Sequence, residues 1–314
     1  MRISSILKGL VTGTALFAAS VGAAQDWTPP GPVKLQIGFG AGGETDTIGR
    51  VIATVMKEQT GWNVIAENKP GGGGVAMFTG ISAAPADGTV IGMGVTMPVM
   101  INLVLRGDEL PFDVDSFDYL ATVARAPLAI VAKADAPFED MKGLVAHAKE
   151  HGGAVAFDAK PQELLMRAID NQESAGFKLV PTKSSAEMLQ LVLGGQVDAS
   201  FSAGVHIPYV KKGDLKMIAT ANDGRHGYAP DVASLPEQGY AFYVDPIFYF
   251  AAPAGLPDDA KAALAAALDA AIQSDRVVEV VTNVFSSEPD NRGPDGTRKV
   301  IVDGVANVRK LFGK

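Results

Sequence analysis

Cysteine is missing from all 314 residues. Its absence excludes disulfides, thiolate metal sites, a cysteine nucleophile and an acylated N-terminal cysteine that would tether the chain to lipid. Histidine is scarce as well, with four residues at positions 147, 151, 206 and 226. Beyond the N-terminal stretch, no uninterrupted apolar run reaches the roughly 20 residues of a membrane-spanning helix, so direct membrane insertion is not expected. Positive charge is in deficit, with 27 Lys and Arg against 35 Asp and Glu and a formal charge of −8. Nucleic acids and anionic membranes select clustered Lys and Arg, so neither is an expected partner.

What the N-terminus does have is the layout of a secretory signal. Arg2 and Lys8 are the only charges before Asp26, and Gly9 to Val21 is small and apolar. Gly22 and Ala24 stand at the minus-three and minus-one places of a signal-peptidase site. The apolar stretch is too short for the alternative, an uncleaved anchor. Residues 1–24 are therefore expected to be removed on export, leaving the chain free in a bacterial periplasm. Those residues hold Arg2, Lys8 and no acid, so their loss takes the charge from −8 to −10. About 290 residues remain, more than one ordinary core fills, and two lobes are expected.

Strand-like and helix-like segments alternate along that length. Val33 to Phe39 reads as a strand. The next segment has Ile48, Val51, Ile52, Val55 and Met56 at helical spacing, and Gly61 ends it. Trp62 to Ala66, Thr89 to Val95, Leu128 to Ala132, Ala154 to Phe157, Phe177 to Val180, Val197 to Phe201, Leu215 to Thr220 and Ile247 to Ala252 are further strand candidates. Helices are expected over Val75–Ala84, Glu139–Glu150, Gln162–Asn171, Ser185–Leu193, Asp258–Gln273 and Gly296–Leu311. This alternation predicts an α/β fold with largely parallel sheets covered on both faces.

Gly38-Phe39-Gly40-Ala41-Gly42-Gly43 satisfies G-x-G-x-x-G after a strand and before a helix, and Glu67 ends the second strand. A dinucleotide-dependent oxidoreductase is thus one reading. The other is a carboxylate site, because a helix N-terminus offers unpaired N–H groups to either anion and glycine lets the backbone approach it. Glu44 and Asp46 at the helix opening would repel a pyrophosphate, and no His or Tyr/Lys pair stands near a plausible hydride-transfer position. Both points favour the carboxylate.

The residues resemble those of the solute receptors of tripartite tricarboxylate transporters, the Bug proteins, which are type II periplasmic binding proteins. Phe39-Gly40-Ala41-Gly42-Gly43-Glu44-Thr45-Asp46-Thr47-Ile48-Gly49-Arg50 matches that family's F-x-P-G-G-x-x-D-x-x-A-R, with Ala41 in place of proline. Glu67-Asn68-Lys69-Pro70-Gly71-Gly72-Gly73-Gly74 matches E-N-x-P-G-x-G-G. Asp87-Gly88, Leu193 to Asp198, Pro208 to Leu215, Pro230-Asp231-Val232 and Ala252 to Gly255 match later motifs, in order, across the chain.

The resemblance implies a two-lobed clamp in which each lobe is a mostly parallel sheet flanked by helices. Residues 25–125 with 246–314 would form one lobe and 126–245 the other, with hinges near Ala124–Leu128 and Tyr243–Phe248. It implies a small carboxylate ligand (mono-, di- or tricarboxylate), delivery to a two-subunit membrane permease, no enzymatic activity, no cofactor and a monomeric chain. The ligand positions it suggests are Phe39, Ala41, Gly42, Gly43, Thr45, Asp46 and Thr96 in the first lobe. Asp158, Ala159, Lys160 and Ser202 belong to the second, and Phe248 to a crossing. The half of the site formed by the second lobe departs from the family. Phe157-Asp158-Ala159-Lys160-Pro161 replaces a Ser/Gly/Thr-rich loop, and Thr182-Lys183-Ser184 and Phe201-Ser202-Ala203 replace Y-K-G and F-D-N, so ligand specificity does not carry over.

Two other constellations carry alternatives. His147-Ala148-Lys149-Glu150-His151 fits the zinc motif H-x-x-E-H, yet it closes a helix, where His and Lys suit the negative end of the dipole. Ser200, Ser202 and His206 suggest a nucleophile and base, but no G-x-S-x-G elbow precedes either serine. The cluster Tyr240, Phe242, Tyr243, Phe248, Tyr249 and Phe250 reads as hinge packing, with a ring or two available to a cleft. A sensor subunit that presents its ligand to a signalling partner would have the same sequence features as a transport receptor.

Overall fold

The computed structural model describes residues 27–312; the expected signal at 1–24 lies outside them. The chain opens on β1 (Val33–Ile37), whose alternate residues Val33, Leu35 and Ile37 are fully buried while Lys34 is exposed. A glycine loop leads into α1 (Glu44–Thr60), which buries Ile48, Ile52, Val55 and Met56 along one face. Each such side chain contributes about 1.5–3 kcal/mol when fully withdrawn from water. Gly61 ends the helix in a left-handed conformation.

The first sheet continues with β2 (Val64–Asn68), α2 (Val75–Ser82), β3 (Val90–Val95), α3 (Thr96–Arg106) and β4 (Phe117–Arg125). The chain then crosses into a second sheet through β5 (Ala129–Lys133), α4 (Met141–His151), β6 (Gly153–Phe157), α5 (Lys160–Glu173), β7 (Phe177–Pro181), α6 (Ser185–Leu193), β8 (Ala199–Ser202), α7 (Ile207–Lys212) and β9 (Leu215–Thr220). It returns as β10 (Ile247–Pro253) and ends in α8 (Asp258–Ile272), α9 (Asp275–Phe285) and α10 (Gly293–Leu311).

The five-stranded sheets have the orders β2-β1-β3-β10-β4 and β7-β6-β8-β5-β9. Each is mixed. In the first, β10 runs antiparallel to both β3 and β4, while β1 is parallel to β2 and β3. In the second, β5 is the reversed strand, antiparallel to β8 and β9. The sheets therefore stay mostly parallel, and the one reversed strand of each is the first strand laid down after a crossing. The expected hinge segments hold each other: Ala126 donates its N–H to the Pro246 carbonyl at 2.8 Å. Beside them Arg125 is paired with Asp245.

Four elements were not anticipated from sequence: α3, β4, α7 and α9. β4 is buried along most of its length and shows no period-two alternation, and α3 contains Pro98, which the first turn of a helix tolerates.

Candidate functional site

The lobes meet along the starts of their helices. The loop after β1 touches the loop before α6, where Gly40 N–H donates to the Lys183 carbonyl at 2.8 Å. Between them lies a partly open cavity. Its walls are the beginnings of four helices: Gly43, Glu44 and Thr45 of α1, Val95 and Pro98 at α3, Asp158, Ala159 and Gln162 at α5, and Ser184 and Ser185 at α6. Phe39, Ala203 and the crossing residues Ala126, Leu128, Pro246 and Phe248 complete it. No side chain caps α1, α3 or α5. At α1 and α3 the first-turn N–H groups and dipole ends are thus open to an anion, whereas at α5 Pro161 has no N–H and Gln162 N–H is donated to the Ala159 carbonyl at 3.1 Å.

The loop is held by Asp46, in the first turn of α1. Its carboxylate accepts hydrogen bonds from Gly42 N–H at 2.9 Å, Arg50 Nε at 2.7 Å and Asn68 Nδ2 at 2.7 Å. Asn68 Nδ2 also reaches the Phe39 carbonyl at 3.0 Å. Gly42 has φ +83°, so this turn requires glycine there. Gly43, by contrast, is extended at φ −83°, open to any residue, and a β-carbon on it would stand 3.5 Å from Ser184 Cβ.

Of the residues expected at the site, the cavity gathers Phe39, Gly43, Thr45, Asp158, Ala159 and Phe248. The other six lie outside its wall. Ala41 and Gly42 are exposed on the loop, and Asp46 is spent on the network just described. Thr96 is buried and accepts the Ile247 N–H at 3.1 Å, pinning the second crossing. Lys160 is paired with Glu163 at 2.9 Å. Ser202 is buried, with its hydroxyl 3.0 Å from His206 Nδ1.

Sequence reasoning missed Glu44 as a wall residue. Its side chain is 4 % exposed and reaches across to the second lobe, where Oε1 accepts N–H bonds from Ala203 at 2.9 Å and Val205 at 3.3 Å. Nearby, Asp158 lines the cavity. Burial, aided by the Glu44 charge, pushes its carboxyl up from 3.8 to about 7. Ser184 and Ser185 were also missed as site residues, although Ser184-Ser185-Ala186-Glu187 carries a capping signature. Ser184 Oγ accepts the Glu187 N–H at 3.3 Å, and Glu187 accepts the Lys183 N–H at 2.8 Å.

Behind Ala203 runs a chain of polar side chains. His206 Nε2 meets Tyr228 OH at 3.1 Å, which meets His226 Nδ1 at 2.9 Å, and His226 Nε2 meets Asn222 Oδ1 at 2.8 Å. Asn222 Nδ2 then bonds both crossings, at the Ala126 and Val244 carbonyls. Burial, with the neighbouring His226, lowers the His206 pKa to about 3; burial, with the Arg125 charge, lowers that of His226 to about 4. Ser202 and His206 thus touch, but both are buried outside the cavity wall and the second imidazole nitrogen faces a phenol.

The zinc-like run is resolved into pairs, His147 with Asp198 at 3.4 Å and His151 with Glu150 at 3.6 Å. Among the described residues no group of three His, Cys, Asp or Glu is placed to hold a metal ion. The glycine loop faces the start of α6, where a β-carbon on Gly40 would lie 3.1 Å from the Lys183 carbonyl oxygen. That contact leaves no space over Gly40 for a pyrophosphate.

Residues 48–314 match the profile of the tripartite tricarboxylate transporter family receptor. A protein from the gbd 5′ region of Cupriavidus necator is 30% identical over 261 residues, spanning 79% of this chain and 77% of its own. BugT of Bordetella pertussis is 28% identical over 305 residues, covering 95% of this chain and 92% of its own. Among solved structures, MatC from Rhodopseudomonas palustris with bound malate superposes with a TM-score of 0.80 at 23% identity, over 90% of this chain and 99% of that one.

Proposed function

The chain belongs to the tripartite tricarboxylate transporter family of receptors, and from that premise we propose that it captures a small carboxylate between its lobes and delivers it to a two-subunit membrane permease. The observation that carries this reading is the interlobe cavity at four helix starts, three of them without a side-chain cap. A carboxylate placed against Gly43–Thr45 would take the unspent N–H groups of α1. Phe39, Val95, Pro98 and Phe248 supply the apolar wall that a small organic body needs. The malate bound by a protein of this fold supports the same ligand class.

The proposed receptor works in the periplasm as a monomer, without cofactor or turnover. Its hinging units are residues 25–125 with 246–314, and residues 126–245. A ligand touching both favours the closed arrangement. The test is a thermal-shift screen against a carboxylate library, followed by calorimetry and small-angle scattering. A true ligand should raise the melting temperature, shrink the radius of gyration and be recovered unchanged; identical scattering at saturation would count against the clamp. No stabilisation by any carboxylate would sink the reading.

A further inference from the structure

The two acids of the cavity constrain the ligand further. Ala203 and Val205 present the amides with which the second lobe meets Glu44, and both donate to Glu44 Oε1 at 2.9 and 3.3 Å. A carboxylate of the protein therefore already occupies that anion-receiving position. A second carboxylate on the ligand would have to displace it or lie beside it.

Asp158 stands in the same wall without a counter-charge. Among the described residues no Lys or Arg lines the cavity, and no ion pair includes Asp158 or Glu44. Lys160, the nearest cation in sequence, is held by Glu163, which Arg167 also pairs. Gln162 Oε1 accepts the Asp158 backbone N–H at 2.8 Å, and hydrogen bonds from the Gln162 side chain and the residue's own backbone only partly offset the burial and the Glu44 charge that raise its carboxyl. A largely buried carboxyl in a wall with no cation is costly to keep charged, unless something that enters the cavity supplies the charge.

Resting on the reading above and narrowing its substrate class, we propose that the ligand is a small amino carboxylate whose cationic nitrogen pairs with Asp158 while its carboxylate meets the start of α1. The cavity is small, about 50 Å³, so the ligand has few heavy atoms. Glu44, from α1, is the ionisable group whose charge reaches Asp158, and its sign reinforces attraction for a cation. Because the Asp158 carboxyl titrates near 7, pairing with a cation drives its proton off. Affinity then rises between pH 6 and pH 8, and binding near neutrality releases a proton.

The experiment is calorimetry of the full-length mature chain with three panels: unbranched monocarboxylates of two to six carbons, the matching dicarboxylates, and the α- and ω-amino derivatives of the monocarboxylates. Titrations are run at pH 6 and pH 8 in buffers of differing ionisation enthalpy, which count protons. The best amino carboxylate should bind about 10–100-fold more tightly than its amine-free parent, the range for a charge-assisted bond. Asp158→Asn, with its fold checked by thermal unfolding, should remove that preference. Glu44→Gln should reduce it while leaving Asp158 in place.

Tightest binding of a dicarboxylate, weakening as the pH rises, would mean that a protonated Asp158 donates to a second carboxylate, and would overturn the inference while leaving the receptor reading intact. Equal binding of amino and parent acids would do the same. Failure of all three panels would overturn both.

Discussion

Asp158→Asn is the substitution with the most readable outcome in the protein without ligand. The Asp158 carboxyl is raised from 3.8 to about 7, first by burial and then by the Glu44 charge. A carboxyl whose folded pKa lies above its unfolded value binds more protons in the folded state, so its contribution falls as pH rises from about 4 to about 7. Above that window the full penalty is present. Three units at about 1.4 kcal/mol each give a ceiling of about 4 kcal/mol, and water reaching the cavity brings the expected figure nearer 2 kcal/mol.

An amide has the same shape and no charge to bury. Asp158→Asn should therefore match the wild type near pH 4 and exceed it by about 2 kcal/mol at pH 8. The buried histidines act in the opposite sense. His206 and His226 fall from 6.5 to about 3 and about 4, so stability is lost as pH drops below 6.5. That loss is common to both proteins and cancels in the difference. Urea unfolding of both at pH 4, 6 and 8 measures it. A variant no more stable than the wild type at pH 8, or a difference flat with pH, would refute the reasoning.

Three further outcomes are expected. Glu44→Ala removes the acceptor of the Ala203 and Val205 N–H groups; the lobes should open, seen as a larger radius of gyration in scattering, with about 1.5–3 kcal/mol lost from the closed form. Asp46→Ala deletes an acceptor of three bonds and should cost about 2 kcal/mol in thermal or urea unfolding; a loss of affinity with unchanged stability would place Asp46 on the ligand instead. Gly73→Ala puts a β-carbon at φ +68°, 2.6 Å from Pro98 Cβ and 3.2 Å from Ala159 Cβ. It should destabilise the protein by about 1–3 kcal/mol and lower ligand affinity, which calorimetry beside unfolding would read.

Local signals made much of the fold legible. The spacing of Ile48, Ile52, Val55 and Met56 marked α1, the glycines marked its ends, and the order of motifs marked the clamp. β4 escaped because a strand buried on both faces loses its alternation. The loop half of the site was readable because Phe39 and Gly43–Thr45 are neighbours in sequence. The far half was only partly so: Asp158 and Ala159 were expected there, but Gln162, Ser184, Ser185 and Ala203 were not. Glu44 could be seen as an acid at a helix start, but its bonds to Ala203 and Val205 bridge residues about 160 apart. Lys160 stood closer to Asp158 in sequence than Glu163 did, yet the helical geometry of α5 turned it to Glu163.

The place of β10 also bears on how the protein assembles. It sits between β3 and β4, so until residues 247–253 arrive the first sheet is two separate pieces, β2-β1-β3 and a lone β4. Every strand of the second sheet is made in between, and that sheet needs nothing from outside its own stretch of chain. Joining β10 to β3 closes a loop that spans the whole second sheet. The ordering entropy of so large a loop falls on the last step, after much of it has been lowered by prior folding of the intervening chain. The second lobe is thus expected to fold first, because its strands are complete before β10 of the first lobe is made, and the first lobe to close last. During that interval β3 and β4 expose the edges that β10 will cover, and these are the surfaces through which a folding intermediate would aggregate or meet a chaperone.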